Sequence, residues 1–275
     1  MLLSVKDLCI RFHSNWGKPV EAVKHVHFEL NKGEVLAVVG ESGSGKSVTA
    51  LSLTRLLPPT PQCELSGEIY FDSGKNLLRF SERQLQKIRG GGIAYIFQNA
   101  STALNPALTI GFQIAEAIRL HAPVADIKAS VSEWLKKVGL DPKRHYGAYP
   151  FQLSGGMQQR ATIAMALACR PKILVADEPT TALDVTLQNQ IIELLKTLRK
   201  SENIAIIFIT HNLSLIKGFA DRAIVMYNGE VVEQGTTQQI LEAPKHPYTQ
   251  ALIQCIPSLD HAERRLKTID DYQIA

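Results

Sequence analysis

The chain has 275 residues, 45% of them hydrophobic and 20% charged, with a formal net charge of +4. That length buries the core of one large α/β domain, or of one domain plus a subdomain. The balance is ordinary for a folded protein, and so small a charge gives no argument for a nucleic-acid partner. The four cysteines, Cys9, Cys63, Cys169 and Cys255, stand outside metal-site spacing of one another. They suggest neither a zinc knuckle nor a disulfide framework, and a reduced cytosolic compartment fits best. The N-terminus lacks the layout of a signal peptide, and no apolar run approaches the roughly 20 residues that span a bilayer. Work at a membrane would require docking onto something that spans it.

In chain order, Val5, Leu8, Ile10 and Phe12, then Val26, Phe28 and Leu30, fall among polar residues as in antiparallel strands with one wet face. Asn31-Lys32-Gly33 is a turn. Val35 to Val39 is unbroken apolar sequence, the mark of a central parallel strand covered on both faces. It leads into Gly40-Glu41-Ser42-Gly43-Ser44-Gly45-Lys46-Ser47, which fits G-x-x-x-x-G-K-[ST], and then into a helix starting near Lys46. In such a loop, glycines let successive backbone N–H groups face phosphate oxygens. The helix adds its positive end. Lys46 can reach the β- and γ-phosphates, and Ser47 can ligate Mg²⁺. The loop alone specifies a nucleotide, and suits a GTPase, a kinase or a helicase equally.

Farther on, Gln98 follows Tyr95-Ile96-Phe97, and residues 109 to 138 turn to helical periodicity, closed by Gly139 as a C-cap. This stretch reads as a separate helical subdomain. Leu153-Ser154-Gly155-Gly156-Met157-Gln158-Gln159-Arg160 puts small residues at the start of a helix running from about Met157 to Cys169, a second phosphate cradle. Ile173 to Ala176 is another buried strand, ending in Asp177 and Glu178. At the carboxyl end of a parallel strand, where α/β sheets bind ligands, Asp177 can hold Mg²⁺ through water. Glu178 can act as the base that polarises the attacking water. Ile204 to Ile209 repeats the strand pattern and leads to His211; Val225 to Val232 is a hairpin with an Asn-Gly turn. Strands alternating with helices argue for a parallel sheet flanked by helices.

The Ser154-to-Arg160 segment resembles the signature of ATP-binding cassette (ABC) ATPases, and nearly the whole chain matches that family in order. The resemblance implies an α/β fold: a P-loop NTPase (RecA-like) core, an N-terminal antiparallel β-subdomain and an inserted α-helical subdomain. It implies an ATPase domain over 1–250, with the helical subdomain over about 99–160 and a short C-terminal extension over 251–275. Gly40 to Ser47 looks like the family's Walker A loop, with Val48 joining it in binding ATP. Gln98 looks like its Q-loop glutamine, Asp177 and Glu178 its Walker B pair, Ala182-Leu183-Asp184 its D-loop and His211 its switch histidine. Phe12 takes the place of the aromatic that stacks on adenine, and Trp16 is near enough to compete. ATP and Mg²⁺ follow, with the metal on Ser47, Gln98 and Asp177. The catalytic assignments are Glu178, His211 and Gln98. Ser154, Gly155, Gly156 and Gln158 serve a partner's site in a head-to-tail dimer.

Within the family, the chain is similar to the oligopeptide/dipeptide/nickel importer ATPases. This rests on the Walker A sequence, on Ser101-Thr102-Ala103-Leu104-Asn105-Pro106, on Asp177 to Thr186 and on the tail His246-Pro247-Tyr248-Thr249-Gln250-Ala251-Leu252. Met157 to Arg160 with Ile163 to Leu167 is closer to the D-type than to the F-type subunit of these paired systems. The implied partners are an F-type ATPase in a heterodimer, two membrane-spanning permease subunits and an extracytoplasmic substrate-binding protein. The implied place is the cytoplasmic face of the inner membrane, as a peripheral subunit. Peptide is the first expected cargo, with nickel or another chelated metal the second; an exporter subunit is the alternative direction. Residues 47–153 are too short and lack the heptads of a DNA-repair ABC ATPase. A ribosome-associated factor would carry two cassettes. A non-enzymatic ATP binder would not need Lys46, Asp177, Glu178 and His211 together. The cysteine cluster that some relatives carry in a longer tail is not expected, since Cys255 stands alone there.

Overall fold

The computed structural model describes residues 1–13, 18–72, 74–122, 124–181 and 183–255. Its strands are β1 (Leu3–Phe12), β2 (Val20–Leu30), β3 (Val35–Val39), β4 (Cys63–Phe71), β5 (Ile93–Ile96), β6 (Ile173–Asp177), β7 (Ala205–Thr210), β8 (Arg222–Tyr227) and β9 (Glu230–Thr236). Its helices are α1 (Lys46–Ser52), α2 (Glu82–Ile88), α3 (Ala100–Ala103), α4 (Ile110–His121), α5 (Ile127–Lys137), α6 (Pro142–His145), α7 (Gly155–Ala168), α8 (Val185–Glu202), α9 (Thr237–Glu242) and α10 (Pro247–Gln254). They form two compact units, with β7 carrying the chain out of one and into the other.

One unit holds residues 1–30, 35–78 and 208 onward. It contains an antiparallel sheet in the order β2-β1-β4. In β1 the buried apolar residues are Leu3 and Val5, then Leu8 and Ile10, so the apolar alternation slips by one between Val5 and Leu8. In β2 it slips in the same way between Val23 and Val26. A strand can keep its apolar set inward across such a step only by a bulge. Asp7 (φ 51) and His25 (φ 48), the residues in these steps, take left-handed backbone. The same unit pairs β3 in parallel with β8, and β8 antiparallel with β9. Every residue of β3 is buried, as its unbroken apolar sequence requires. The β8–β9 hairpin turns at Asn228 (φ 47) and Gly229 (φ 85), the double positive φ of a tight primed turn.

The other unit holds residues 31–34 and 79–207. Here β5 and β6 pair in parallel, and the Ala205 N–H bonds to the Lys172 carbonyl to start β7 beside them. The helices α3, α4, α5 and α7 pack on one another. Their ends are closed by side chains: Thr109, Asp126, Asp141, Ser154 and Asp184 cap α4, α5, α6, α7 and α8 in turn. Gly139 (φ 77) ends the turn after α5. The Arg160 guanidinium on α7 donates to the Val138 carbonyl at 2.8 Å and to Gln190 Oε1 at 3.1 Å, joining α5, α7 and α8. At the head of α4, Gly111 donates its N–H to the Tyr146 carbonyl at 2.9 Å. A Cβ there would lie 2.6 Å from that oxygen and 2.7 Å from the Tyr146 ring.

Backbone oxygen cannot retreat as a flexible side-chain tip can, so Gly111→Ala forces the α4–α6 contact apart. We expect a loss of about 1–3 kcal/mol, the usual cost of overpacking. Urea denaturation checks it, as a lower midpoint at unchanged slope.

Candidate functional site

In the first unit, β3 runs straight into the Gly40–Ser47 loop and α1 follows. Gly43 (φ 84) and Gly45 (φ 99) supply the left-handed turns. A Cβ on Gly40 would come within 2.2 Å of the Met226 carbonyl oxygen, and one on Gly45 within 2.6 Å of that of Ala22. Gly43 has nothing within 4 Å of such a Cβ, so its glycine answers to φ alone. The loop wraps Lys46, a residue 5% exposed, whose ammonium donates to the carbonyls of Gly40 at 2.8 Å and Glu41 at 2.6 Å. Burial of a full positive charge is tolerable because these oxygens replace water. Ser47 stays at the surface on the first turn of α1, with Val48 half-buried beside it and Glu41, Ser42 and Gly43 exposed. The whole arc presents a rim of main chain around a fixed cation, at the positive end of a helix.

Two elements brace the loop from behind. At the β8–β9 turn, Gly229 donates its N–H to the Ser44 carbonyl at 3.2 Å and accepts from the Lys24 N–H at 2.8 Å. On α10, Tyr248 is completely buried and its hydroxyl accepts the Glu41 N–H at 3.0 Å. Burial pushes the Tyr248 phenol up to about 12. The start of α10 is itself pinned, since the Glu233 carboxylate on β9 accepts the N–H groups of Lys245 (2.8 Å) and His246 (3.0 Å). The Tyr248 ring packs on Tyr227 with centroids 4.2 Å apart. Sequence reading had the His246-to-Leu252 motif but gave it no task; this is its task. In the same unit, Phe12 is half-buried at the end of β1 and His211 is exposed just after β7. Trp16 lies outside the described residues.

In the second unit, β6 ends on Asp177 and Glu178 follows it, both half-buried. Gln98, just beyond β5, donates from Nε2 to Glu178 Oε2 at 2.9 Å. Thr181 Oγ1 donates to the same oxygen at 2.9 Å. Two residues 80 positions apart in sequence thus meet at the ends of neighbouring parallel strands. Thr181 was not singled out by sequence, although it lies in the Asp177-to-Thr186 string. The Glu178 backbone is left-handed at φ 46.

The signature segment belongs to the same unit. Ser154 caps α7, accepting from the Met157 N–H at 3.4 Å. Gln158 donates to the carbonyls of Pro150 (2.9 Å) and Leu153 (3.2 Å), so its side chain holds the incoming loop against the helix. Gly155 is exposed with little near it, whereas a Cβ on the buried Gly156 would touch Leu187 at 3.4 Å. Leu187 opens α8, where its N–H is held by the capping Asp184 at 2.9 Å. Ala182 lies outside the described residues.

The model of the ABC transporter family matches residues 23–181. That of the oligopeptide/dipeptide transporter C-terminal region matches residues 232–274. The chain is 48% identical over 262 residues to the oligopeptide transport ATP-binding protein OppD of Bacillus subtilis, covering 94% of this chain and 73% of that one. It is 46% identical over 271 residues to the dipeptide transport ATP-binding protein DppD of Haemophilus influenzae, covering 98% and 81%. It is 48% identical over 265 residues to the glutathione import ATP-binding protein GsiA of Salmonella typhimurium, covering 94% of this chain but 42% of that one. Among solved structures, a dimeric ATP-binding cassette in a post-hydrolysis state with ADP and Pi superposes with a TM-score of 0.75 at 31% identity, over 86% of this chain and 99% of that one. A Clostridium perfringens cassette from the ABC transporter complex cbiONQ gives 0.74 at 28%, over 88% and 91%.

Tyr248→Phe keeps the ring and its packing but strands the Glu41 N–H. Losing this part-buried hydrogen bond costs about 0.5–1.5 kcal/mol. We expect a lower thermal midpoint together with weaker nucleotide binding, because the loop loses its rear support. Isothermal titration with ATP, beside thermal melts, checks both.

Proposed function

Because this chain belongs to the ABC transporter family, we propose that it hydrolyses ATP to drive uptake of short peptides through a membrane importer. As an ABC ATPase it binds ATP and works with membrane-spanning permease subunits. No helix among the described residues is long and apolar enough to cross a membrane itself. The peptide reading draws on the match to the oligopeptide/dipeptide C-terminal region and on the names of the relatives. The observation that carries the hydrolytic reading is the hydrogen bond from Gln98 to Glu178.

The glycine loop suits a triphosphate: its Gly40 and Gly45 positions have no room for side chains, and a buried ammonium sits at its centre. Gly40 to Val48 would hold the phosphates, with Phe12 against the base. We assign Ser47, Asp177 and Gln98 to Mg²⁺, which when bound neutralises phosphate charge. Lys46 holds the β- and γ-phosphate oxygens and steadies charge that grows on them in the transition state. Glu178 accepts the proton of the attacking water, and Gln98 and Thr181 keep its carboxylate aimed. His211 orients the γ-phosphate side. Ser154, Gly155, Gly156 and Gln158 complete the site of a partner ATPase, and Asp184 shapes the neighbouring D-loop. The domain boundaries given above, an F-type partner in a heterodimer, an extracytoplasmic binding protein and a peripheral position on the cytoplasmic face of the inner membrane belong to the same proposal.

Glu178→Gln keeps the shape and both hydrogen-bonding neighbours but removes the proton acceptor. Turnover falls by about 10²–10⁴-fold, while ATP affinity stays near that of the wild type. Wild-type turnover in steady-state assays would exclude Glu178 as the base.

The signature assignment is tested better at Gly155 than at Gly156, since Leu187 crowds only the latter. With Gly155→Asp in this chain and a wild-type partner, a carboxylate would face the partner's phosphates and repel them. Nucleotide trapping should then fail at the partner's site, while ATP binding at Lys46 persists. Loss confined to this chain's own site would show that the signature acts in cis.

A further inference from the structure

The solvent face of the antiparallel sheet carries a side-chain cluster that the nucleotide site does not use. Asp7 and Cys9 stand two apart on β1, and His25 and His27 two apart on β2. The slipped alternation described above places a bulge on each strand, at Asp7 and at His25, and the β1–β4 pairing shifts between Lys6 and Cys9 as well. On β4, Gly67 (φ 106) makes room for the first bulge: a Cβ there would strike the Asp7 carbonyl oxygen at 2.4 Å. Bulges re-aim side chains, and here they converge. Asp7 Oδ1 lies 2.6 Å from His25 Nδ1, and Cys9 Sγ lies 3.7 Å from the same nitrogen. The three ligand atoms fall within 4.8 Å of one another.

We propose that Asp7, Cys9 and His25 form a surface site for a borderline transition-metal ion of the Zn²⁺ or Co²⁺ class. A thiolate, an imidazole and a carboxylate together favour such ions over Mg²⁺ or Ca²⁺, which prefer oxygen throughout. Two ligands at about 2.3 Å (sulfur) and about 2.0 Å (nitrogen) of a tetrahedral ion stand about 3.5 Å apart, close to the sulfur–nitrogen separation here. The Asp7–His25 pair is closer, as a shared proton makes it. Hydrogen bonding and charge from Asp7 hold the His25 imidazole above its ordinary range. The ion takes that proton's place, and the carboxylate moves back to a ligand distance. The Cys9 sulfur also accepts the His25 main-chain N–H at 3.3 Å, which holds it beside that residue.

His27 has a different part. Its Nδ1 accepts the Asp7 N–H at 3.1 Å, so in the neutral ring the proton is on Nε2, 4.0 Å from Asp7 Oδ1. It fixes the bulge and faces the carboxylate rather than supplying a donor. The protein therefore gives three ligands, and a fourth position belongs to water or an incoming group. The Asp7 and His25 side chains are 62% and 76% exposed, so the site exchanges its ion with solution.

The test titrates the full chain, without nucleotide, with Co²⁺ alone. One equivalent should bind and produce a thiolate-to-cobalt charge-transfer band in the near ultraviolet. Cys9→Ser should abolish the band, and Cys255→Ser should leave it. His25→Ala should weaken binding by at least the about 10–100-fold lost when even an outer partner of a metal ligand is removed. ATP hydrolysis should be unchanged in all three variants. Zn²⁺ should raise the melting temperature of the wild type and not that of Cys9→Ser, whose metal-free melt controls for folding. No thiolate band in the wild type, a band that survives Cys9→Ser, or unchanged affinity in His25→Ala would overturn the proposal.

Discussion

The nucleotide loop depends on burying the Lys46 ammonium. Lys46 as a residue is only 5% exposed, so its ammonium must find oxygen other than water. The nearest oxygens are main-chain carbonyls of its own loop, at Gly40 and Glu41. To turn those carbonyls inward, the chain must pass through left-handed backbone at Gly43 and Gly45, which explains the glycines before any ligand is invoked. Of the loop's N–H groups, that of Glu41 meets the Tyr248 hydroxyl and that of Ser44 the Glu41 carbonyl, so the turn and a distant side chain both hold the arc. The cation and the cradle are thus two sides of one constraint.

That constraint reaches the far end of the chain. Glu41 lends its carbonyl to Lys46 and its N–H to Tyr248, 207 residues away. Tyr248 can accept that N–H only if α10 sits in one place. The Glu233 carboxylate fixes it there through the two N–H groups that open the helix. The C-terminal motif is therefore part of the phosphate loop's support, and truncation before Tyr248 would act on nucleotide binding through packing.

What the sequence made legible was local. Unbroken apolar runs marked β3, β6 and β7, and each is buried throughout or nearly so. The Asn228–Gly229 turn, the glycine loop and the cap at Gly139 each follow from the backbone conformation that one or two residues demand. Separation defeated the rest. Nothing in spacing links Gln98 to Glu178, or Glu41 to Tyr248. Cysteine spacing is blind to Asp7, Cys9 and His25, which come together only across paired strands. A signal was present there: the apolar alternation of β1 steps by three from Val5 to Leu8, and that of β2 from Val23 to Val26. Such a step demands a bulge wherever one face is buried, and facing bulges turn neighbouring side chains toward one another.

Glu178 shows where local preference gives way to chemistry. A residue before proline is driven toward extended backbone, and a non-glycine residue resists positive φ. Glu178 precedes Pro179 and still sits at φ 46. Such conformations cost on the order of 1–3 kcal/mol and persist only when the surroundings over-determine them. Here the surroundings are visible: β6 fixes the chain on one side and the turn closed by the Thr181 N–H on the Glu178 carbonyl, at 3.3 Å, fixes it on the other. The side chain is then held by Gln98 and Thr181 on a single oxygen. Glycine would relieve the backbone, yet it would return both exposed donors to water. Conformation alone would select glycine at this position. That a glutamate stands there, strained and doubly hydrogen-bonded, is a physical argument that its carboxylate is what the position is for.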